Sequence, residues 1–369
     1  MTGPGEPPPA PLPGAFVHTF LPGRVVFGAG ALDQVASEVE ALGVRRVLVI
    51  ATSSARDAAD VVEVQLNERF AGRIDGVAQH VPTAVADSAR AKAHEVDADG
   101  IVAIGGGSAI GLAKAIALTS TSHGGEGLGV VAVPTTYAGS EMTPVWGETY
   151  GGRKTTGTDL RVLPRVVVYD PVLSQHLPMK VTAASVANAI AHCVEAVWTP
   201  RADPITETTA VEGLRALSSG LREVLAAPYD LDARGKLLYG ACLAGSALAT
   251  AGTGLHHKLC HLLGGTYNLP HAETHAAVLP QVVRINALAV PQAAARLTTA
   301  LDTPSTDLTG GLFDLFQQAG TATSLQQLGM TAAQVDEAAA AFRPTENPVP
   351  VTEELVREIL TRAWDGARP

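Results

Sequence analysis

Four histidines in the second half of the chain have the types and spacing to form a catalytic pocket: His192, His257, His261 and His271. Asn188 and His192 are four residues apart, as are His257 and His261, so each pair lies on one face of a helix. Imidazoles bind iron or zinc, and they also hold anions. The spacing therefore predicts a histidine-lined pocket with either a metal or an anionic ligand.

Asn188 bears on whether a metal belongs in this pocket. A carboxylate there would complete an anionic ligand set, whereas an amide offers only a neutral oxygen, a poor partner for a divalent cation. A lone histidine on an apolar helix is usually a core residue, but burying several without a use is costly. His256 and His275 are interpreted as structural or supporting residues, and Lys258 as either an anion ligand or a solvated side chain.

Two loops in the first half have the composition of a nucleotide site. A predicted strand, 100–104, leads into Gly105, Gly106, Gly107 and Ser108, and a helix follows. Glycines allow close approach of a phosphate, and the helix N-terminus supplies unpaired N–H groups. A second loop, 134–141, also follows a predicted strand and carries Thr135, Thr136 and Ser140. Neither loop matches the G-x-G-x-x-G or ATP-binding patterns, and plain tight turns stay an alternative. Together they predict a dinucleotide crevice.

The segment after the predicted strand 46–51 bears on which dinucleotide binds. A carboxylate usually holds the ribose 2′-hydroxyl of NADH. Here Thr52 and Ser53 follow the strand, and no acid occurs before Asp57. We therefore expect both NADH and NADPH to serve as cofactor, with Thr52 at the site.

The elements that position these residues divide the chain into two units. Residues 1–14 are rich in Pro and Gly and are predicted to be a mobile tail. Strands alternate with helices over 15–175, which predicts a parallel-sheet α/β domain, and 176–369 read as an all-helical domain. Predicted elements of the first unit are strands 24–27, 46–51, 100–104 and 130–133 and helices 31–42, 60–70 and 108–118.

Composition excludes several classes of function. The net charge is −10, and no run of Lys or Arg exceeds a pair, so a nucleic-acid partner is not expected. No apolar run has the length of a membrane span, and the N-terminus lacks the pattern of an export signal. The cysteines at 193, 242 and 260 lie in apolar stretches without disulfide or metal spacing. A cytoplasmic protein with buried thiols is expected.

Five segments together resemble the iron-containing alcohol dehydrogenase superfamily, from about residue 16 onwards, and within it the maleylacetate reductases. The segments are GGGSAIGLAKAIAL, PTTYAGSEMTPVWG, VLPRVVVYDP, HHKLCHLLGG and LPHAETHA. The resemblance implies a nucleotide-binding α/β domain followed by a helical domain, with cofactor and substrate in the cleft between them. It also implies a homodimer.

The resemblance assigns roles position by position. Gly105, Gly106, Gly107 and Ser108 would contact the pyrophosphate, and Thr135, Thr136, Ser140 and Lys154 would line the cofactor site. His192, His257 and His271 occupy the three histidine ligand positions of the superfamily, and His261 that of the histidine beside the nicotinamide. Asn188 and Gly111 stand where the metal-dependent members carry aspartates, which implies a site without a metal.

The implied reaction is reduction of the conjugated C=C bond of maleylacetate, a small dicarboxylate, to 3-oxoadipate by NADH or NADPH, in the catabolism of aromatic compounds. Hydride addition to this enone gives an enolate already delocalised onto oxygen, so hydrogen-bond donors can replace a metal. We expect His261 to be catalytic. The alternatives are a metal-dependent alcohol dehydrogenase, a dehydroquinate synthase-like lyase, and a nucleotide-binding module without catalysis.

Overall fold

The computed structural model describes residues 15–77, 81–120, 127–151, 153–302 and 307–369, so the predicted tail 1–14 lies outside the described residues. A six-stranded parallel sheet forms the first unit, in the order β1-β8-β5-β4-β2-β3. Its strands are β1 (Arg24–Phe27), β2 (Val47–Ala51), β3 (Phe70–Asp75), β4 (Gly100–Gly105), β5 (Gly129–Pro134) and β8 (Val166–Tyr169). An antiparallel hairpin of β6 (Val145–Tyr150) and β7 (Arg153–Thr158) precedes β8.

Helices cover both faces of the sheet, as its composition requires. The central strands β2 and β4 read VLVIA and GIVAIG and are buried at every residue, the pattern of a parallel sheet covered on two sides. Val47 and Val49 belong to one apolar cluster, and the alternate residues Leu48 and Ile50 to another. The first cluster includes α1 (Val35–Ala41) and α2 (Arg56–Leu66), and the second includes α3 (Thr83–Glu95) and α4 (Gly107–Thr119).

The second unit consists of helices packed around α5 (Met179–Ala196), which is buried from Thr182 to its end. Asp203 caps the next helix through the backbone N–H groups of Ile205 and Thr206. The other helices are α6 (Pro204–Ala226), α7 (Leu231–Ala251), α8 (Leu255–Tyr267), α9 (His271–Asn286), α10 (Pro291–Leu301), α11 (Leu308–Gln318), α12 (Ala332–Ala341) and α13 (Glu353–Asp365).

The predicted fold class, a parallel-sheet domain followed by a helical domain, is confirmed. One predicted helix, 60–70, is displaced: α2 begins at Arg56 and ends at Leu66, and Phe70 begins β3. β3 was not predicted because it is an edge strand of mixed sequence, FAGRID. None of its residues is fully buried. The β6–β7 hairpin was not predicted either, since its strands are short of apolar residues.

Within the described ranges, no single helix is long and apolar enough to cross a membrane. The pair α7 and α8 would reach that length and composition only together, and the chain bends by 99° between them.

Candidate active site

The loops after β2, β4 and β5 meet at the carboxyl edge of the sheet. From β2 the chain moves outward to β3 and then returns to β4 on the other side of β2. Ligands of open parallel sheets bind at such a switch point, where the loops on either side diverge and leave a crevice. The topology therefore places Thr52 and the glycine loop at the position expected for a nucleotide.

The glycine loop approaches its neighbours most closely at Gly105 and Gly106. Gly105 has φ +148°, and a Cβ there would lie 2.6 Å from Thr52 Cγ2. A Cβ on Gly106 would lie 3.0 Å from Thr136 Cγ2. Both threonines therefore border the loop directly. α4 begins at Gly107 without a side-chain cap, so its first amides are available for a phosphate group.

The second loop is held by a buried lysine on α4. Lys114 Nζ donates to the backbone oxygens of Ser140, Thr143 and Val145 at 2.6, 2.8 and 2.9 Å. Burial lowers the pKa of Lys114 to about 7, and the nearby Glu141 opposes that shift. Glu141 is itself buried and accepts a hydrogen bond from Tyr169. Lys114 therefore holds the loop in place through these hydrogen bonds, and its amino group is not left to bind phosphate.

The same loop also joins the sheet to the helical unit. Gly139 packs directly on α7, where a Cβ on Gly245 would lie 2.3 Å from the Gly139 oxygen. Two loop positions earlier, the hydroxyl of Tyr137 accepts a hydrogen bond of 3.1 Å from Arg234 on α7. The loop that follows β5 is therefore fixed from both units.

The structure brings most of the predicted cofactor residues together. Thr135 donates its backbone N–H to the oxygen of Gly105 at 3.0 Å, which joins the two loops. Ser108 lies in the first turn of α4 but does not cap it. Lys154 belongs to β7 and pairs with Thr149, and its side chain lies outside the described part of the chain.

The four predicted histidines converge, although they come from three helices. His192 on α5 stacks on His257 of α8, with ring centroids 4.9 Å apart. His261, one turn further along α8, lies 6.3 Å from His257 and 5.8 Å from His271, the first residue of α9. The structure therefore brings the four predicted histidines together, and their roles stay predictions.

Several polar atoms of this cluster are buried without a hydrogen-bond partner. They are Asn188 Oδ1, His192 Nδ1 and His257 Nε2, within the residues that the structure describes. An unsatisfied buried polar atom costs about 1–3 kcal/mol. Burial and the neighbouring His257 hold the pKa of His192 well below its usual value, so its ring is neutral. Such atoms are expected where a polar ligand binds.

Glu195 contacts the histidine cluster and was not predicted from the sequence. This carboxylate on α5 accepts from His257 Nδ1 at 2.6 Å and from the backbone N–H of His256 at 2.6 Å. Burial raises the pKa of Glu195, but His257 lowers it further, and the result is about 2. An acid three residues after His192, in a helix that is buried from Thr182 to its end, was the available indication.

His256 and His275 form a buried chain that ends at the cluster. His256 Nε2 lies 2.8 Å from His275 Nδ1, and His275 Nε2 lies 3.3 Å from His271 Nε2. Burial lowers the pKa of His256 to about 3 and that of His275 well below its usual value, with further lowering by neighbouring histidines. Both rings are therefore neutral supports for His271.

The side chains at the predicted histidine ligand positions do not form a donor set that suits iron. Asn188 supplies a neutral amide where a metal site needs a carboxylate, and His271 Nε2 is directed to His275. Among the described residues, three ligand atoms within 4.8 Å of one another occur only at His256, Cys260 and His275. The first and last of these already bond each other, and all three are fully buried.

Family models match nearly the whole described chain. The model described as "Iron-containing alcohol dehydrogenase" matches residues 22–171, and the model described as "Fe-containing alcohol dehydrogenase family, C-terminal" matches residues 182–364. The two matches correspond to the sheet and to the helices.

Individual relatives are similar over their full length. Maleylacetate reductase 1 of Rhodococcus opacus is 45% identical over 96% of this chain and 98% of its own. Maleylacetate reductase of Sphingobium indicum is 46% identical over 96% of this chain and 99% of its own. The crystal structure of maleylacetate reductase from Agrobacterium tumefaciens is 40% identical, covers 96% and 100% of the two chains, and superposes with a TM-score of 0.90.

Proposed function

The chain belongs to the iron-containing alcohol dehydrogenase family, and within it we propose that the protein is a maleylacetate reductase that works without a metal. Full-length similarity to maleylacetate reductases carries the substrate assignment. Asn188, in place of a carboxylate ligand, carries the proposal that no metal takes part.

The glycine loop fits a nicotinamide dinucleotide, which supplies the hydride when bound. Gly105, Gly106, Gly107 and Ser108 would receive the pyrophosphate at the uncapped start of α4. Thr52, Thr135, Thr136, Ser140 and Lys154 complete the proposed cofactor site. Because no acidic residue follows β2 closely, NADPH should be used as well as NADH.

The substrate can be reduced without a Lewis acid. Maleylacetate carries a C=C bond conjugated to a ketone, with a carboxylate at each end. Hydride forms a C–H bond at the alkene carbon remote from the ketone, and the alkene electron pair moves to give an enolate. A proton at the adjacent carbon completes 3-oxoadipate. Preorganised hydrogen-bond donors stabilise such an enolate.

The histidine cluster supplies these donors. We propose that His192, His257, His271 and Asn188 line the substrate site, where protonated imidazoles and the amide N–H groups of Asn188 hold the substrate carboxylates and the enolate oxygen. Asn188 Oδ1, His192 Nδ1 and His257 Nε2 are buried without a partner among the described residues, so they are left to receive a ligand or a proton. His261 is the proposed catalytic residue, which delivers the proton directly or through a water. The centroid of its ring lies 6.3 Å from that of His257 and 5.8 Å from that of His271.

The direct test is turnover. Purified enzyme with maleylacetate should oxidise NADH and form one 3-oxoadipate per NADH, as measured by absorbance and by NMR of the product. Simple aldehydes should be far poorer substrates. Rapid reduction of aldehydes without reaction of maleylacetate would contradict the proposal. With NADPH in place of NADH, kcat/KM should differ by less than about a thousandfold.

We further propose a homodimer formed through the edge of the sheet. β1 is an edge strand, and large apolar side chains near it are exposed, at Val17, Phe20, Val25 and Phe27. Unpaired strand edges and apolar patches commonly associate. Sedimentation of the wild type should give twice the monomer mass, and Val25→Lys should shift it toward monomer.

The location and the domain boundaries also stay proposals. The cysteines at 193, 242 and 260 are unpaired, which suits a reducing cytoplasm. We place the domains at 15–175 and 176–369, and limited proteolysis near 170–178 would test the division.

A further inference from the structure

We propose that Glu195 is a positioning residue that fixes the tautomer of His257 and so decides which ring nitrogen meets the substrate. The effect on turnover rests on the proposed reductase function, whereas the effect on the ring itself does not.

Among the described residues, the hydrogen-bond partners of this carboxylate lie in the first turn of α8 and at Gly254 just before it. Glu195 is 1% exposed, and no Arg or Lys among the described residues forms an ion pair with it. Its Oε1 accepts from the backbone N–H of His256 at 2.6 Å. Its Oε2 accepts from His257 Nδ1 at 2.6 Å, and from the backbone N–H of that residue at 3.4 Å.

Glu195 therefore acts as the cap of α8 from a different helix. The N-cap position is Gly254, which has no side chain to offer, and a Cβ there would lie 2.9 Å from Glu195 Oε1. A carboxylate at a helix N-terminus also compensates the helix dipole. The arrangement ties α5 to the first turn of α8, which carries His257.

The same bond fixes the chemistry of the ring. An ionised carboxylate only accepts hydrogen bonds, so His257 Nδ1 must carry a hydrogen. His257 Nε2 is buried and has no partner in the described chain, which makes it the atom left for a ligand. In the neutral ring Nε2 is an acceptor, positioned to receive a hydrogen bond or a proton.

A purely structural cap would behave differently from a tautomer-fixing residue. In Glu195→Gln the amide oxygen can still accept from the His256 N–H, so the cap is kept. The amide nitrogen can only donate, so His257 Nδ1 must become the acceptor and the hydrogen moves to Nε2. The substitution thus separates the two roles.

The experiment is nitrogen NMR of the histidine rings in full-length enzyme, with His257 assigned from its lost signals in His257→Gln. We expect the Nδ1–H form in the wild type and the Nε2–H form in Glu195→Gln. With maleylacetate, Glu195→Gln should lower kcat/KM about 10- to 100-fold and leave the KM for NADH unchanged.

Asp203 provides the matched control, because it also caps a helix and holds a histidine. It accepts from the N–H groups of Ile205 and Thr206 at 2.8 and 2.9 Å and from His18 Nδ1 at 2.8 Å. Asp203→Asn should lower Tm without changing the His257 signals or kcat/KM.

Two results would overturn the proposal. One is a Glu195→Gln enzyme whose His257 keeps its Nδ1 hydrogen. The other is a loss of activity no larger than that of Asp203→Asn at equal loss of stability. If Glu195→Gln does not fold, Glu195→Asp keeps the carboxylate and should retain the Nδ1–H form, and an Nε2–H form in that variant would contradict the assignment. Failure of maleylacetate as substrate would leave the NMR prediction standing and so would count against the reductase function alone.

Discussion

The proposed nucleotide-binding loop and the histidine cluster depend on different parts of the polypeptide, the backbone in the first and side chains in the second. The glycine loop depends on backbone geometry, since a Cβ would lie 2.6 Å from Thr52 at Gly105 and 3.0 Å from Thr136 at Gly106. The pocket depends on side chains from three helices, with a carboxylate and neutral imidazoles behind them. From this difference we expect cofactor binding to depend on the shape of the backbone, and the reaction to depend on a few side chains of the histidine cluster.

Removal of the proposed proton donor should have the largest effect of these changes. It should lower turnover without changing cofactor binding. In His261→Ala, kcat with maleylacetate should fall about 10²- to 10⁴-fold, because general acid catalysis is lost. NADH affinity, measured by fluorescence titration, should stay unchanged. Thr266→Ala, at an exposed position of the same helix, is the control. An unchanged kcat in His261→Ala would refute the role.

A substitution in the glycine loop should affect cofactor binding alone. In Gly105→Ala the added methyl group would lie 2.6 Å from Thr52 Cγ2, on a backbone with φ +148°. The KM for NADH should rise about 10- to 100-fold, since the loop must shift away from the phosphates. Gly265→Ala, with open space around it, should have the wild-type KM. A normal KM for NADH in Gly105→Ala would show that the loop does not hold the cofactor.

Acidification should also distinguish the two regions, with a smaller effect: it should lower stability through the buried histidines and leave NADH binding unchanged. The pKa of His256 is about 3 in the folded protein because of burial and of His257, so the unfolded chain takes up protons first as pH falls below about 6.5. Acidification below that pH therefore lowers the free energy of unfolding. The His256 ring accounts for about 2 kcal/mol of this loss near pH 5. Urea unfolding measures this loss, and His256→Gln should reduce it. NADH affinity should change little over the same range, and a parallel loss would contradict the comparison.

The sequence predicts the glycine loop better than the pocket, for a physical reason. Glycines after an apolar strand identify a close backbone approach directly, so Gly105 and Gly106 are readable from sequence. Helical spacing likewise places Asn188 with His192 on one helical face and His257 with His261 on another. The contact of Glu195 with His257, and that of Lys114 with the Ser140 loop, depend on how separate elements pack, which no periodicity encodes.

The metal requirement tests the central claim, that Asn188 makes this pocket a metal-free site. NADH oxidation with maleylacetate should be measured before and after chelation, together with the metal content, in the wild type and in Asn188→Asp. The wild type should keep full activity, and Asn188→Asp should gain chelator-sensitive metal binding because a carboxylate completes the ligand set. Loss of wild-type activity on chelation, restored by iron or zinc, would contradict the account.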